Sequence, residues 1–384
     1  MSESMRASVL AGVGRMEVRD VPRPRAGPRD LLLRVAAVGV CGTDFHIYSG
    51  ESNYNLDARG EPIPLEVEAQ ILGHEITGVV EEVGAEVSGF APGDRVVVDQ
   101  GLNCLTLGRD ALCEYCASGC THQCEHYVEY GITGLPGGFA DFLAVPGQSA
   151  VRASAELDCA HAALTEPLAC VLYSSATVAR TPARYSIGAA DERRRVRTIL
   201  VCGAGPAGLL FLQVLRNVVG FDGSILVTEV DASKRALAER FGAVTVDPRE
   251  TDIFDFVLEK TGGRLVEYLI EATGSGPVFA GIPSLIRKQA TVLKYGIGHG
   301  GVGLEALNQV HWKEPTFLMP VGASGRLDEA GRPTVYLEAL RLIEEGRVDV
   351  GSLVTHRYTG LERVPAAFAG DHHEPGYVKA VAVL

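Results

Sequence analysis

Thr198-Ile199-Leu200-Val201-Cys202-Gly203-Ala204-Gly205-Pro206-Ala207-Gly208 decides the fold. Residues 198–202 form a continuous apolar run, as a strand buried on both faces requires. The following G-x-G-x-x-G then opens a helix, which is the context that turns a weak glycine pattern into a dinucleotide site. Gly203 makes the tight turn, Gly205 admits a pyrophosphate, and Gly208 lets helix and strand pack closely, with Pro206 and Ala207 between them. The helix start presents free N–H groups and the positive end of its dipole to phosphates.

Such a site needs an acid about 20 residues further on. Glu229 lies 229 − 208 = 21 positions past Gly208, directly after Ile225-Leu226-Val227-Thr228. A carboxylate there accepts bonds from ribose hydroxyls and repels a 2′-phosphate, which selects NAD over NADP. Asp231, Lys234 and Arg235 keep NADP open, because Arg235 can sit beside an adenosine phosphate.

Outward from this motif, strands and helices alternate. Helices are expected over 163–179, 208–219 and 232–241, the last ended by Gly242. Strands are expected at Ser224–Thr228, 266–270 and 291–295. This alternation implies a doubly wound α/β domain with a parallel sheet. The first third differs: short Val-rich runs at 31–35, 76–83 and 95–98 are punctuated by Gly and Pro, suggesting a β-rich, barrel-like domain. The tail contains one clear helix, 334–345, and a terminal apolar run, 378–384.

The chain has 384 residues, a formal net charge of −13, and nine cysteines. Two domains is the natural expectation for that length. No basic cluster suits nucleic acid; Glu192-Arg193-Arg194-Arg195-Val196-Arg197 reads as a solvated linker. No apolar run approaches the ~20 residues of a membrane span. The N-terminal segment lacks a secretory pattern, so the cysteines are expected as cytoplasmic thiols and metal ligands rather than disulfides.

Five cysteines crowd one loop: Cys104, Cys113, Cys116, Cys120 and Cys124. Four thiolates in a short loop suit tetrahedral Zn2+ in a closed structural site. Which four is open from spacing alone, and the C-x-x-C at 113–116 also fits a redox pair. Three further segments carry ligand-type residues: Cys41-Gly42-Thr43-Asp44-Phe45-His46, Gly73-His74-Glu75 and Thr165-Glu166-Pro167.

Taken together with GDRV (93–96), GAGPAG (203–208) and EATG (271–274), these segments resemble the medium-chain zinc alcohol dehydrogenase family, especially its sorbitol and threonine dehydrogenase branches. The resemblance runs from Cys41 to the terminal strand. It implies a GroES-like catalytic domain over 1–160 completed by 315–384, a Rossmann domain over 161–314, and a substrate cleft between them. It implies a catalytic zinc on Cys41, His74 and Glu75 with an open fourth position, and Glu166 on the metal or on its water. Asp44 would orient His74, and Thr43 and His46 would relay the alcohol proton to solvent. Thr273 joins the cofactor residues through the EATG motif. The family's structural zinc pattern matches Cys113, Cys116 and Cys124; its first ligand should fall at Asp110, with Cys104, across an insertion, as the favoured replacement and Asp110 as the rival.

The implied activity is hydride transfer from a secondary alcohol of a small polar hydroxylated molecule to NAD. A polyol, sugar or cyclitol is expected, with a threonine-like 3-hydroxy amino acid as alternative. A zinc-free NADPH-dependent quinone or enone reductase, and a non-catalytic nucleotide-binding protein, are the competing readings; the ligand set and Glu229 argue against the first, and the ligand set with Thr43 and His46 at their spacing from Cys41 against the second. Residues 51–70, with Tyr54, Asn55, Asp57, Arg59 and Glu61, are candidates for reading substrate hydroxyls, as are Gly298-His299-Gly300-Gly301 and His311-Trp312-Lys313-Glu314. A homodimer or homotetramer is expected from the resemblance.

Overall fold

A computed structural model describes residues 3–384, and the chain divides into two compact units. The first runs to Ala169 and resumes over Ala323–Leu384; the second is Cys170–Gly322.

The first unit is built on a mostly antiparallel sheet. Its strands run Val354–Thr359, Lys379–Val383, Asp30–Val40, Glu75–Val83, Arg95–Val98 and Ala150–Arg152, with Phe142–Pro146 also paired to Asp30–Val40. The terminal strand enters this sheet antiparallel to Asp30–Val40, with Ala380 opposite Val40. Leu31, Leu33, Val35, Val38, Ile76, Val80, Val96 and Phe139 form its apolar core. Removing each such side chain from water contributes about 1.5–3 kcal/mol.

The second unit has six parallel strands in the order Val244–Val246, Ser224–Thr228, Thr198–Cys202, Val266–Glu271, Ile286–Lys294, Thr316–Leu318. In this unit's own sequence order that is 3-2-1-4-5-6, the doubly wound arrangement, with the topological switch point beside Thr198–Cys202. All residues of Thr198–Cys202 and Val266–Glu271 are buried, which explains why the first reads as an unbroken apolar run rather than an alternating one.

Two boundaries differ from the sequence reading. The return to the first unit begins at Ala323, not 315, because Thr316–Leu318 pairs in parallel with Ile286–Lys294 as the last strand of the nucleotide sheet. A three-residue strand carries too little periodicity to be recognised. The earlier boundary falls after Ala169 rather than 160, inside the helix Thr165–Arg180. The helix expected over 208–219 begins at Pro206 and widens into a π turn at Val214–Val218.

The helical stretch Cys159–Arg180 is long and apolar enough by composition to cross a membrane, with mean hydropathy 1.2. Yet 61% of that window is buried within the protein, as in a core helix, and it carries Glu166 in its middle.

Candidate functional site

The glycine turn meets the requirements of a phosphate cradle. Gly203 has φ +94°, and its N–H donates to Thr228 O at 2.8 Å. A Cβ on Gly205 would meet nothing within 4 Å, so the space in front of the helix start is clear. A Cβ on Gly208 would lie 2.0 Å from Gly203 O, so only glycine permits that close approach. Pro206 occupies the first helical turn, where its missing N–H costs nothing.

Glu229 follows the second strand, and its carboxylate accepts from Ala204 N (2.8 Å) and Asp231 N (2.9 Å). It therefore pins the glycine turn and still has lone pairs for ribose hydroxyls. Arg235, the candidate for an adenosine phosphate, is already engaged: its Nη1 donates to Asp247 Oδ2 and to the carbonyls of Glu229 and Val230. Arg249, missed in the sequence, holds Asp247 well below the usual carboxylate range and is the more exposed cation there. Thr273 sits against the first glycine, since a Cβ on Gly203 would lie 2.8 Å from Thr273 Cγ2; its N–H and hydroxyl both donate to the buried Glu271.

In the first unit the ligand atoms of Cys41, His74 and Glu75 all lie within 4.8 Å of one another. Cys41 caps the helix Gly42–Tyr48, and Asp44 holds the trio's framework. Asp44 Oδ2 accepts from Cys41 N at 2.8 Å, while Oδ1 accepts from Gly73 N at 3.2 Å and stands 3.5 Å from His74 Nδ1. Burial pushes the His74 pKa down, but the Asp44 and Cys41 charges outweigh it and hold it well above the ordinary value.

Glu75 opens the strand Glu75–Val83 and is fully buried. Its Oε1 accepts from Lys379 Nζ at 2.5 Å. Burial lowers the Lys379 pKa, yet Glu75 and Cys41 raise it overall, so the ammonium stays charged. Lys379 was not anticipated, although a lone lysine in the apolar run Val378-Lys379-Ala380-Val381 is a readable signal. Glu75 Oε2 and His74 Nδ1 are buried without a hydrogen-bond partner. An orphaned carboxylate oxygen beside a thiol and an imidazole is a donor set that fits zinc.

Gly39 faces Glu75 across the sheet, and a Cβ there would lie 1.8 Å from Glu75 Oε2. Gly39→Ala is therefore expected to displace this carboxylate and weaken Zn2+ affinity about 10–100-fold. Competition with a chromogenic chelator reads this; Gly42→Ala, whose Cβ meets nothing within 4 Å, is the matched control. Equal affinities for the two variants would remove Glu75 from the ligand set.

Glu166 is not drawn into the trio. Its Oε1 accepts from Gln100 Nε2 at 3.1 Å, and Gln100 Oε1 accepts from Tyr336. Thr43 Oγ1 lies 3.9 Å from Cys41 Sγ. His46 turns toward Glu51 Oε2, at 2.7 Å, with its side chain 29% exposed.

The cysteine loop converges as a second cluster. The sulfurs of Cys104, Cys113, Cys116 and Cys124 lie within 4.8 Å of one another, with Cys104 and Cys124 3.6 Å apart. Cys120 and the exposed Asp110 lie outside this set. Backbone N–H groups of Cys116 and His126 donate to Cys113 and Cys124. N–H donors from Cys116 and Glu125 pull the Cys113 thiol down to about 6, favouring the thiolate that a metal needs.

The other candidate segments are less committed. Asn55 is buried, whereas Asp57, Arg59 and Glu61 form an exposed turn around Asp57. His299 Nε2 bonds Glu271 Oε2 at 2.7 Å, Lys313 donates to Ile286 O, and Trp312 is exposed.

The alcohol dehydrogenase GroES-like domain model matches residues 27–155, and the zinc-binding dehydrogenase model matches residues 206–344. An L-threonine 3-dehydrogenase from Pyrococcus abyssi is 30% identical over 374 residues, covering 96% of this chain and 95% of the relative. A sorbitol dehydrogenase from Halalkalibacterium halodurans is 30% identical over 352 residues, covering 91% and 90%. The crystal structure of a zinc-binding dehydrogenase from Sinorhizobium meliloti bound to NADP superposes with a TM-score of 0.79 at 29% identity, over 100% of both chains. Its GroES-like and Rossmann units, its glycine turn and its two ligand clusters accordingly place this chain in the medium-chain zinc-dependent alcohol dehydrogenase family, as an oxidoreductase acting on CH–OH donors.

Proposed function

We propose that this dehydrogenase oxidises a secondary alcohol of a small polyol, sugar or cyclitol to the ketone, passing hydride to NAD, with one catalytic and one structural zinc per chain. The observation that carries the reading is the convergence of Cys41, His74 and Glu75 with an unpartnered, buried Glu75 Oε2. Zinc held there supplies a Lewis acid that lowers the pKa of a substrate hydroxyl. Cys41, His74 and Glu75 hold it, and Asp44 orients Cys41 and His74. Thr43 receives the hydroxyl proton and His46, backed by Glu51, returns it to solvent. Gly203, Gly205 and Gly208 seat the pyrophosphate, and Glu229 accepts from the ribose.

Glu229 and the engaged Arg235 favour NAD; the NADP-bound relative and the exposed Arg249 favour NADP as the second reading. The sorbitol dehydrogenase relative supports a polyol, and the threonine dehydrogenase relative supports a 3-hydroxy amino acid as alternative. We also assign a homodimer or homotetramer. Thr316–Leu318 is the last strand of its sheet, and exposed Trp312, Met319 and Val321 flank it. All nine cysteines are free thiols, which suits action in a reducing cytoplasm.

The test is zinc content before and after mild chelation, alongside NAD and NADP reduction on polyols, sugars, cyclitols and threonine, with the mass of the same sample read by light scattering. Loss of turnover with the first zinc to leave, on a polyol and NAD, is expected. Chelation-insensitive activity, or turnover confined to NADPH and enones, would sink the zinc mechanism; a monomer mass would sink the oligomer.

A further inference from the structure

We propose that Gln100, itself oriented by Tyr336, is a positioning residue that holds the Glu166 carboxylate beside the Cys41–His74–Glu75 cluster rather than within it. A metal held by those three residues would thereby keep a position for the substrate oxygen. The inference rests on the zinc reading of those three residues.

The three groups are buried: Gln100 at 2%, Tyr336 at 0% and Glu166 at 6% exposure. The Tyr336 hydroxyl donates to Gln100 Oε1 at 2.5 Å. The Glu166 carboxylate settles which way the amide faces, because it only accepts: Nε2 points to it, 3.1 Å from Glu166 Oε1, which leaves Gln100 Oε1 to accept from Tyr336. The reversed amide would set oxygen against an acceptor-only carboxylate. Tyr336 belongs to the helix Thr334–Glu344, 236 positions along the chain from Gln100, so the returning segment dictates the tether.

The tether fixes which polar group the buried carboxylate faces: Gln100, rather than the Cys41–His74–Glu75 trio, to which it does not belong. Asp99 is a further acid close by: burial raises its pKa, and the Glu166 charge adds to that shift. The Glu166 charge is also felt by Lys379, the partner of Glu75. A carboxylate released here would be free to join a metal held by Cys41, His74 and Glu75. Four protein ligands make a closed site, whereas catalysis needs an open position.

Cobalt(II) in place of the catalytic zinc reports coordination through its visible absorption, independently of turnover. In Gln100→Leu the visible bands are expected to change as the carboxylate joins the metal, and KM to rise about ten-fold with a smaller change in kcat. Tyr336→Phe gives the same changes to a lesser degree and carries the test if Gln100→Leu does not fold. The double variant Gln100→Leu/Glu166→Ala, having no carboxylate to move, returns to the wild-type spectrum. An unchanged spectrum and KM in both single variants, or a change that persists in the double variant, overturns the tether. A wild-type protein that takes up no cobalt at Cys41 overturns the zinc reading, and the tether with it.

Discussion

Cys41→Ala is expected to lower kcat/KM by on the order of 10^3-fold or more, since a Lewis acid contributes several kcal/mol at the reacting oxygen and each 1.36 kcal/mol is tenfold. Cys41 provides the sulfur of the three-residue cluster and also caps the helix that carries Thr43, Asp44 and His46. The substitution removes the sulfur but keeps the Cys41 N–H that bonds Asp44, so the local fold should survive. Zinc content is expected to fall from about two equivalents to about one, the closed four-sulfur site keeping its metal. Metal analysis and initial rates on the same preparation check this. Undiminished activity in a variant with one zinc would mean that the chemistry lies elsewhere.

The second large effect concerns stability. Replacing Cys104 or Cys116 by Ala is expected to remove the other zinc and lower Tm by on the order of 10 °C, because structural zinc contributes folding free energy directly. The loop has little apolar core of its own: the buried sulfurs pack mainly with Cys113 and Tyr127. It also anchors the returning chain, where His122 N donates to Ser324 Oγ at 3.0 Å and Thr121 bonds Gly325. Losing the metal should therefore expose residues 105–123 and the segment at 323–326 together to proteolysis. Asp110→Ala and Cys120→Ala are the controls, since neither side chain belongs to the cluster. A variant at Asp110 that loses zinc while Cys104→Ala retains it would reverse the assignment.

The parts of the site that were legible are those whose chemistry is local in sequence. The glycine turn announces itself because strand, turn and helix start are contiguous, and each glycine has its own steric reason, shown most clearly by Gly203 and Gly208. Glu229 follows by counting to the end of the next strand. The cysteine loop is legible because its ligand-type residues lie within one segment; spacing left Asp110 in contention, and the structure brings the Cys104 sulfur within 4.8 Å of those of Cys113, Cys116 and Cys124.

By itself, then, the sequence determined the two-part α/β architecture, the nucleotide turn and the candidate ligands, since each is written in residues that are neighbours along the chain. Tertiary structure alone decided the rest. It put Lys379 on Glu75, cleared room for that carboxylate at Gly39, and engaged Arg235 with Asp247. It also assigned Thr316–Leu318 to the nucleotide sheet and set Tyr336 against Gln100. The physical reason is common to all of these. Periodicity reports which face a residue presents, whereas partners across a sheet or hundreds of residues apart depend on register and packing. Register is determined only when the whole apolar core has been buried at once.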